Sequence, residues 1–481
     1  MLFNSLFFLF VFFPIVTGFY YFIPHKFRWV WLLVASCYFY MSFIPSYLLI
    51  LALTISIDYV AGRCIERLDG KKKRAFLLLS ICSNLGVLFV FKYFDFFNAN
   101  LDALAQLLHW NYSREALSLI LPIGLSFHTF QGLAYIIEVY RGRQKAERSF
   151  GIFALYVLFY PQLVAGPIER PQRLLHQFRE RHYFRVGNFF SGMRLIVWGL
   201  FKKVVIADRI SVFVNEIFNN VTDYSGPHFV LATILFAFQI YCDFSGYSDM
   251  ARGLARTLGF ELMVNFRAPY FSKSVAEFWQ RWHISLSTWF RDYVYIPLGG
   301  SRVPLTRWQT NIMITFALSG LWHGANWTFV IWGCLNGLYV LMSRWSGIFV
   351  NRFTKLSVIF HTTIGAGIQI LVTFLLICVS WIFFRAQSVQ DALYMLDQIF
   401  RNGTNLSRLQ PFMYEHSSSL IIALFSILFL LIADTCITTE KLRRFIIRLP
   451  VAIHAIGFSG LVFIIALLGR FTNNEFIYFQ F

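Results

Sequence analysis

Residues 319–333 read SGLWHGANWTFVIWG. The stretch is strongly apolar, yet it places His323 and Asn326 among three tryptophans and three glycines. Polar side chains at membrane depth are costly, and they usually face the interior of the protein or a water-filled cavity. The fold of the chain and the meaning of this histidine therefore depend on one question, which is whether the flanking sequence spans a membrane.

The composition of the whole chain is that of a membrane protein. Of its 481 residues, 57% are hydrophobic and only 14% are charged, whereas soluble proteins carry about 25% charged residues. A spanning helix needs about 20 apolar residues. The composition and the repeated apolar runs predict an all-α polytopic integral membrane protein with about ten to twelve transmembrane helices, forming one domain over residues 1–481. The runs are Leu6–Ile23, Phe76–Phe94, Phe229–Ile240, Ile364–Phe384, Leu420–Ile432 and Val451–Leu468.

The charge pattern predicts how the chain is threaded. The net charge is +18, and the basic residues fall largely in short loops between apolar runs, as cytoplasmic loops do under the positive-inside rule. These basic residues suit contact with anionic lipid headgroups. No basic motif accompanies a soluble domain, which argues against a role in nucleic-acid binding. We interpret Leu6–Ile23 as the first transmembrane helix and not as a signal peptide that is removed. The rule places Lys71, Arg143, Arg281 and Arg443 inside and Asn111, Asn219 and Thr404 outside.

Two segments are too irregular to be simple spans. Tyr160–Gln172 reads YPQLVAGPIERPQ, and its prolines would break a helix. Broken backbone at membrane depth is tolerated where it is buried in protein or lines a cavity, so we expect a re-entrant element there. Ser272–Arg302 mixes aromatic and charged residues at high density, which predicts an interfacial helix or a cavity wall.

His323 is the strongest candidate for chemistry among the eleven histidines. Gly320 and Gly324 flank it at a spacing of four, as in small-residue contact faces of membrane helices. These glycines could let another helix approach, or they could clear space beside the ring for a substrate chain. Imidazole suits general acid–base work near neutral pH. On a continuous helix, Asn326 would neighbour the ring and could orient it or a substrate carbonyl.

Two other histidines lie in unusual surroundings. The sequence also contains little that would indicate a metal site. His283 follows EFWQRW and could be a second catalytic group or an interfacial anchor. His128 sits on a polar patch of an apolar helix, which favours packing. There is no HExxH motif and no cysteine–histidine cluster. The alternate positions Asp243, Ser245, Tyr247 and Asp249 faintly resemble the start of a calcium loop but lack its later acidic ligand. We predict no metal site.

The two histidine segments carry a family resemblance. EFWQRWHISLSTWFRDYVYIPLGGSR followed by LSGLWHGANWTFVIWG resembles the membrane-bound O-acyltransferase (MBOAT) superfamily, especially the bacterial branch of alginate O-acetylation and teichoic-acid D-alanylation proteins. The stretches LPIGLSFHTFQGLAYIIEVYRG, FYPQLVAGPIERPQ, YCDFSGYSDMARGLARTLGF and FIYFQF agree with that branch. The resemblance covers nearly the whole chain.

The resemblance implies a fold and a reaction. The fold is a bundle of membrane helices, with re-entrant and interfacial helices, around a central tunnel. An acyl thioester such as acetyl-CoA would serve as donor from the cytoplasm, with no bound cofactor, and a hydroxyl would accept the acyl group on the outer side. His323 maps onto the near-invariant histidine of the superfamily and His283 onto its second motif residue. The remaining expected substrate-binding residues are Asn326, Trp322, Gly320, Gly324 and Trp282.

Several alternatives stay open at this stage. His323 could act as a general base in direct transfer or form an acyl-histidine. The acyl group could be acetyl, D-alanyl or another, and the acceptor could be alginate or another cell-surface or secreted polymer. The resemblance implies a bacterial inner membrane and an extracytoplasmic partner of the SGNH acetyltransferase type. A polysaccharide or lipid-carrier transporter is the competing class, although no paired repeats with broken helices are present.

Overall fold

The computed structural model describes residues 1–110, 112, 114, 117, 119, 121–164, 166–352, 362–471, 476 and 477. Their regular secondary structure is helical, and no β-strand occurs within these ranges. The chain divides into two compact units: Met1–Ile196 with Ser248–Met263, and Val197–Tyr247 with Val264–Phe481. The expectation of a single domain over residues 1–481 stays a prediction.

In the part of the chain that the structure describes, the first unit is built mainly from nine helices and two π-helical segments, Phe8–Phe12 and Phe89–Tyr93. A tenth helix, α10, begins in this unit and ends in the second. The helices are α1 (Phe13–Phe22), α2 (His25–Met41), α3 (Tyr47–Arg67), α4 (Gly70–Leu88), α5 (Phe94–Leu107), α6 (Leu125–Tyr140), α7 (Phe150–Leu158), α8 (Tyr160–Leu163), α9 (Pro171–Leu174) and α10 (Val186–Leu200).

The second unit contains most of the remaining helices, and α12 runs from it into the first unit. Two further π-helical segments are Phe201–Ala207 and Arg291–Tyr295. The helices are α11 (Asp208–Asn219), α12 (Gly226–Thr257), α13 (Val275–Arg281), α14 (Ile284–Phe290), α15 (Leu305–His323), α16 (Trp327–Arg352), α17 (Thr363–Arg385), α18 (Val389–Asn402), α19 (Gln410–Glu415), α20 (Ser417–Thr438), α21 (Glu440–Ile447) and α22 (Val451–Leu468).

Six helical segments in the described part of the chain are long and apolar enough to cross a membrane. They confirm the prediction of an all-α polytopic membrane protein. The total of about ten to twelve crossings stays a prediction, as does the sidedness of the loops, and Asn111 lies outside the described residues. The six are Tyr47–Arg67, Gly70–Leu107, Gly226–Thr257, Thr363–Arg385, Ser417–Thr438 and Val451–Leu468.

The irregular segment after α7 is largely buried within the first unit, and its assignment as a re-entrant element stays a prediction. Its backbone groups find partners inside the protein: the Tyr160 amide donates to Ser36 Oγ at 3.0 Å, and the Tyr156 hydroxyl donates to the carbonyl of Glu169 at 2.9 Å. Gln162 Nε2 donates to the Tyr156 carbonyl at 2.6 Å. Such bonds satisfy backbone groups that a broken helix leaves open.

Helices α15 and α16 form an antiparallel hairpin whose contact surface is made by glycines. A Cβ added to Gly320 would lie 2.2 Å from the carbonyl oxygen of Phe329, and one added to Gly333 would lie 2.3 Å from that of Phe316. Glycine therefore allows the two backbones to touch, as small residues do between membrane helices. This hairpin fixes the position of the quoted stretch.

A buried group of three charges joins distant parts of the second unit. Lys203 Nζ lies 2.9 Å from Asp208 Oδ1 and 2.8 Å from Asp243 Oδ1, and all three side chains are almost fully buried. The second oxygen of Asp243 accepts the amide of Ile477 at 2.8 Å. The neighbouring Phe476 ring packs 4.7 Å from the ring of Tyr247. We call Lys203, Asp208 and Asp243 the ion triad.

Candidate functional site

His323 is the last residue of α15, and the helix stops there because Gly324 is extended (φ −159°). The C-terminus of a helix carries partial negative charge from its free carbonyls. That end therefore stabilises the positive charge that forms when an imidazole takes up a proton. The sequence placed His323 inside a longer helix, whereas the structure places it at a helix end, where a base is better supported.

Asn326 is not a helical neighbour of His323, so that part of the sequence-based reasoning is wrong. The chain leaves helical geometry between the two residues, and α16 begins at Trp327. The Asn326 side-chain oxygen accepts the amide of Thr328 at 3.0 Å, which is the bond of an N-cap residue. Its amide nitrogen donates to the carbonyl of Gln387 at 3.3 Å. Asn326 shapes the turn of the hairpin, and its contact with substrate stays a prediction.

The His323 ring is enclosed by aromatic side chains and is 3% exposed. The ring centroids of Trp332 and Trp322 both lie 4.9 Å away, edge to face, and that of Phe384 lies 5.4 Å away. We call Trp322, Trp332 and Phe384 the aromatic enclosure. It keeps bulk water from the ring, and electrostatic and hydrogen-bond interactions are stronger in such surroundings.

His283 lies between α13 and α14 in a left-handed backbone conformation, with φ 42° and ψ 54°. For a residue with a side chain, this conformation costs about 1–2 kcal/mol. The side chain is fully buried, with the ring of Phe244 packed edge to face at 4.5 Å. Burial lowers the pKa of His283 to about 3, so the ring is neutral at neutral pH. A neutral imidazole offers one N–H donor and one acceptor nitrogen.

The structure brings the two candidate histidines together. Their ring centroids are 6.5 Å apart, although the residues are forty positions apart in the sequence. At this distance the two rings are close neighbours, near enough to act on one bound substrate. The interfacial-anchor interpretation of His283 does not fit its complete burial. The pair could therefore remove a proton from one group and donate a hydrogen bond to another.

The tryptophans and glycines named from the sequence occupy different positions. Trp322 belongs to the aromatic enclosure, whereas Trp282 packs in the core, stacked on Phe278 at 5.4 Å and 1% exposed. Gly320 contacts α16, and a Cβ at Gly324 would meet the ring of Phe329 at 2.1 Å. The space beside both glycines is thus filled by protein, which favours the packing interpretation. Substrate contact by Trp282, Gly320 or Gly324 stays a prediction.

A cavity of about 520 Å³ lies close to the histidine pair in the second unit. Its wall includes Ile284, the residue after His283, and Ser319, one turn before His323. Trp279 and Phe316 supply aromatic surface, and Arg291 supplies positive charge. The volume is in the range of small-molecule sites, which are mostly apolar with a few polar groups.

The acidic residues near the ion triad do not form a metal site. Asp243, which the sequence placed in a weak calcium-like pattern, is paired with Lys203. Within the described ranges, no group of three or more histidine, cysteine, aspartate or glutamate side chains could hold a metal ion. His128, which the sequence assigned to packing, is buried in the first unit with its ring 6.1 Å from that of Tyr40.

Sequence reasoning missed the side chains that reach the pair from other segments. Phe244 comes from α12, Phe384 from α17, and Phe266 from the stretch before α13. Phenylalanine is common in this chain, with 57 copies, so no local signal distinguishes these three. Only the folded arrangement identifies them.

Comparisons with known proteins identify the family of the chain. The model of the membrane-bound O-acyltransferase (MBOAT) family matches residues 149–385, which include both histidines. The chain is 38% identical to the probable alginate O-acetylase AlgI of Pseudomonas aeruginosa, over 84% of this chain and 76% of that protein. It is 35% identical to the peptidoglycan O-acetyltransferase of Helicobacter pylori, over 85% and 82%.

A more distant relative belongs to the second part of the predicted branch. The teichoic acid D-alanyltransferase of Streptococcus thermophilus is 29% identical over 47% of this chain and 57% of that protein. The helical membrane fold, the paired histidines and the extent of these matches lead to one conclusion. The chain belongs to the membrane-bound O-acyltransferase family and is an O-acyltransferase of the membrane.

Proposed function

We propose that the protein transfers acetyl groups from a cytoplasmic acyl thioester to a hydroxyl group, for O-acetylation of a cell-surface or secreted polysaccharide. Two buried imidazoles whose ring centroids lie 6.5 Å apart carry this proposal. The relatives named as an alginate O-acetylase and a peptidoglycan O-acetyltransferase support acetyl as the acyl group and a polysaccharide as the acceptor.

In this reaction His323 is the general base. The imidazole takes the proton of the acceptor hydroxyl while that oxygen attacks the thioester carbonyl carbon. A C–O bond forms, the C–S bond breaks, and the proton passes from the imidazolium to the leaving sulfur, so atoms and charge balance. The helix end at His323 stabilises the transient positive charge. General-base action of this kind contributes about 10²–10⁴-fold.

His283 supports the negative charge on the carbonyl oxygen. Its ring is neutral because burial lowers the pKa to about 3, so it can donate one N–H bond to an oxyanion without itself bringing a charge. One such donor is worth about 10²–10³-fold in rate. The indole N–H groups of Trp322 and Trp332 are further candidates, since both rings contact His323.

The cavity beside the pair is suited to the donor. Its aromatic and aliphatic wall fits an acyl or pantetheine chain, and Arg291 at its edge can attract the phosphates of a thioester carrier. The positive-inside rule puts Arg281 and its neighbours on the cytoplasmic side, where acetyl-CoA or another thioester is available. The acceptor would approach from the other side, directly or through an SGNH-type acetyltransferase, in a bacterial inner membrane.

Reconstituted protein tests this proposal directly. Purified wild-type protein in vesicles should release free thiol from acetyl-CoA or an acetylated carrier in the presence of a polysaccharide acceptor. We expect His323→Ala to lower that rate by at least about 10² at unchanged abundance. His454→Ala, a histidine on α22, is the matched control and should retain activity.

The same assay separates the alternatives. A transporter would move an intact polysaccharide or lipid carrier without releasing thiol, and would tolerate loss of one imidazole. A D-alanyltransferase would use a D-alanyl thioester in preference to the acetyl one. Near-normal acetyl transfer by His323→Ala would contradict the role assigned to that ring.

A further inference from the structure

The chain beside His283 is held by one asparagine from a separate segment. Asn265 accepts the Ile284 amide at its backbone oxygen, at 3.0 Å. Its side-chain oxygen accepts both the amide and the hydroxyl of Ser285, at 3.1 and 3.0 Å. The Asn265 side chain is 1% exposed, so water does not compete for these bonds. A single residue therefore fixes the two positions that follow His283.

The residues before His283 are fixed by the same segment. The amide of Arg267 donates to the carbonyl of Arg281 at 3.0 Å. Residues 265–267 thus run beside residues 281–285 and bond to them on both sides of the histidine. We call these bonds the Asn265 clamp, and its side-chain half consists of the two bonds to Ser285.

The backbone at His283 needs such a restraint. Its φ of 42° is left-handed, a conformation that side-chain-bearing residues rarely adopt and that persists only where the surroundings impose it. Helix α13 ends just before it, since the Trp282 amide still bonds to Phe278, and α14 begins with the Ser287 amide bonding to the His283 carbonyl. Trp282 before it is extended, with φ −102° and ψ 130°, so residues 282 and 283 together make the turn between the two short helices. A right-handed conformation at His283 would change the direction of that turn and with it the placement of the imidazole.

Aromatic packing alone does not explain this conformation. Phe244 and Phe266 contact the ring of His283, and they can hold a ring that already points toward them. They make no bond to the backbone of residues 283–285, where the left-handed turn is made. The Asn265 side chain does, and it acts on the main chain rather than on the imidazole.

We propose that Asn265 is a positioning residue for His283, which holds the left-handed turn that directs the imidazole toward His323. This inference rests on the proposed acetyl transfer for its activity readout. Asn265 does not touch the reacting groups. Its removal should therefore lower turnover through the placement of His283, while substrate binding in the neighbouring cavity is little changed.

The kinetic test compares three variants in the reconstituted system. Asn265→Ala removes both side-chain bonds and should lower kcat by about 10–100-fold, the effect of a misplacement of about 1 Å, with the KM for the donor within about threefold. Ser285→Ala is the matched control, because it removes the hydroxyl bond but leaves the amide bond, and it should stay within about threefold of wild type. A fall through KM alone, or equal effects of the two variants, would overturn the inference.

A double-mutant comparison in the His283→Asn variant tests whether Asn265 acts through the backbone of residue 283. Asparagine enters the left-handed region more readily than histidine, so His283→Asn relieves the need for the clamp. Asn265→Ala should therefore lower kcat by a smaller factor in the His283→Asn background than in wild type. Equal factors in both backgrounds would mean that Asn265 acts elsewhere, and the proposal would be wrong.

Hydrogen exchange tests the Asn265 clamp independently of activity. In Asn265→Ala, peptides that cover residues 281–290 should exchange faster than in wild type, and in Ser285→Ala they should remain protected. Unchanged protection in Asn265→Ala would refute the clamp. If wild-type protein transferred no acetyl group, the proposed function would fail, while this measurement would still test the clamp by itself.

Discussion

Gly320→Ala tests the contact on which the hairpin of α15 and α16 depends. The new Cβ would lie 2.2 Å from the Phe329 carbonyl oxygen and 3.2 Å from the Gly333 Cα. A carbon normally approaches a carbonyl oxygen to about 3.3 Å, so the helices must separate by about 1 Å. Overpacking of this kind costs about 1–3 kcal/mol, and backbone on the far side cannot rotate away. Alanine regains about 1 kcal/mol of helix propensity, which leaves a net loss of up to about 2 kcal/mol.

The matched control is Gly367→Ala on α17. A Cβ there meets nothing within 4 Å, so this variant receives the gain in helix propensity without the overlap. Thermal unfolding in detergent should place Gly320→Ala below wild type and Gly367→Ala at or above it. Acetyl transfer should fall in parallel with folded protein for Gly320→Ala. Equal melting temperatures for the two variants would refute the close-contact reasoning.

Three further outcomes follow from the site. Gly324→Ala should lose activity before stability, because the three atoms nearest to its Cβ all belong to the Phe329 ring, a side chain that can move toward the aromatic enclosure. Equal losses of thermal stability and acetyl transfer, measured together, would contradict this. Burial lowers the pKa of His283 to about 3, so below about pH 6.5 the unfolded state binds a proton that the folded state does not. Stability should therefore fall as pH drops from 6.5 toward 3, by up to about 1.4 kcal/mol per unit, and His283→Asn should flatten that slope in pH-dependent melting. On a cysteine-free background, an impermeant thiol reagent should label His109→Cys but not Lys72→Cys in intact cells; the reverse pattern would invert the predicted threading.

The sequence predicted the class of fold and the identity of the histidine pair. Low charge and repeated apolar runs are properties of the whole chain, and membrane insertion depends on them directly. His323 could be singled out because a titratable ring in an apolar stretch is costly unless it has a use, whereas His283 was favoured as a site residue only through the family resemblance. Their separation of 6.5 Å was not predictable, since it depends on how distant helices pack.

The local geometry around the histidine pair could not be predicted from the spacing of residues along the sequence. Asn326 looked like a helical neighbour of His323, but Gly324 ends the helix and Asn326 caps the next one. The glycine spacing was compatible with either a helix contact or open space, and the space is filled by the Phe329 carbonyl beside Gly320 and by the Phe329 ring beside Gly324. Asn265 gave no signal at all, because an asparagine without a motif looks like any loop residue until its bonds to residues 284 and 285 are seen.

The bond between Asp243 and Ile477 has a consequence for biogenesis. The two residues are 234 positions apart, and ribosomes add about 5–20 residues per second. Asp243 is therefore made roughly 12–47 s before its partner amide exists. Lys203 precedes Asp243 and can neutralise it at once, so a nascent chain need not hold a bare carboxylate in the bilayer. The ion triad thus lets the second unit begin assembling early, while its contact with Ile477 waits until that residue has been made.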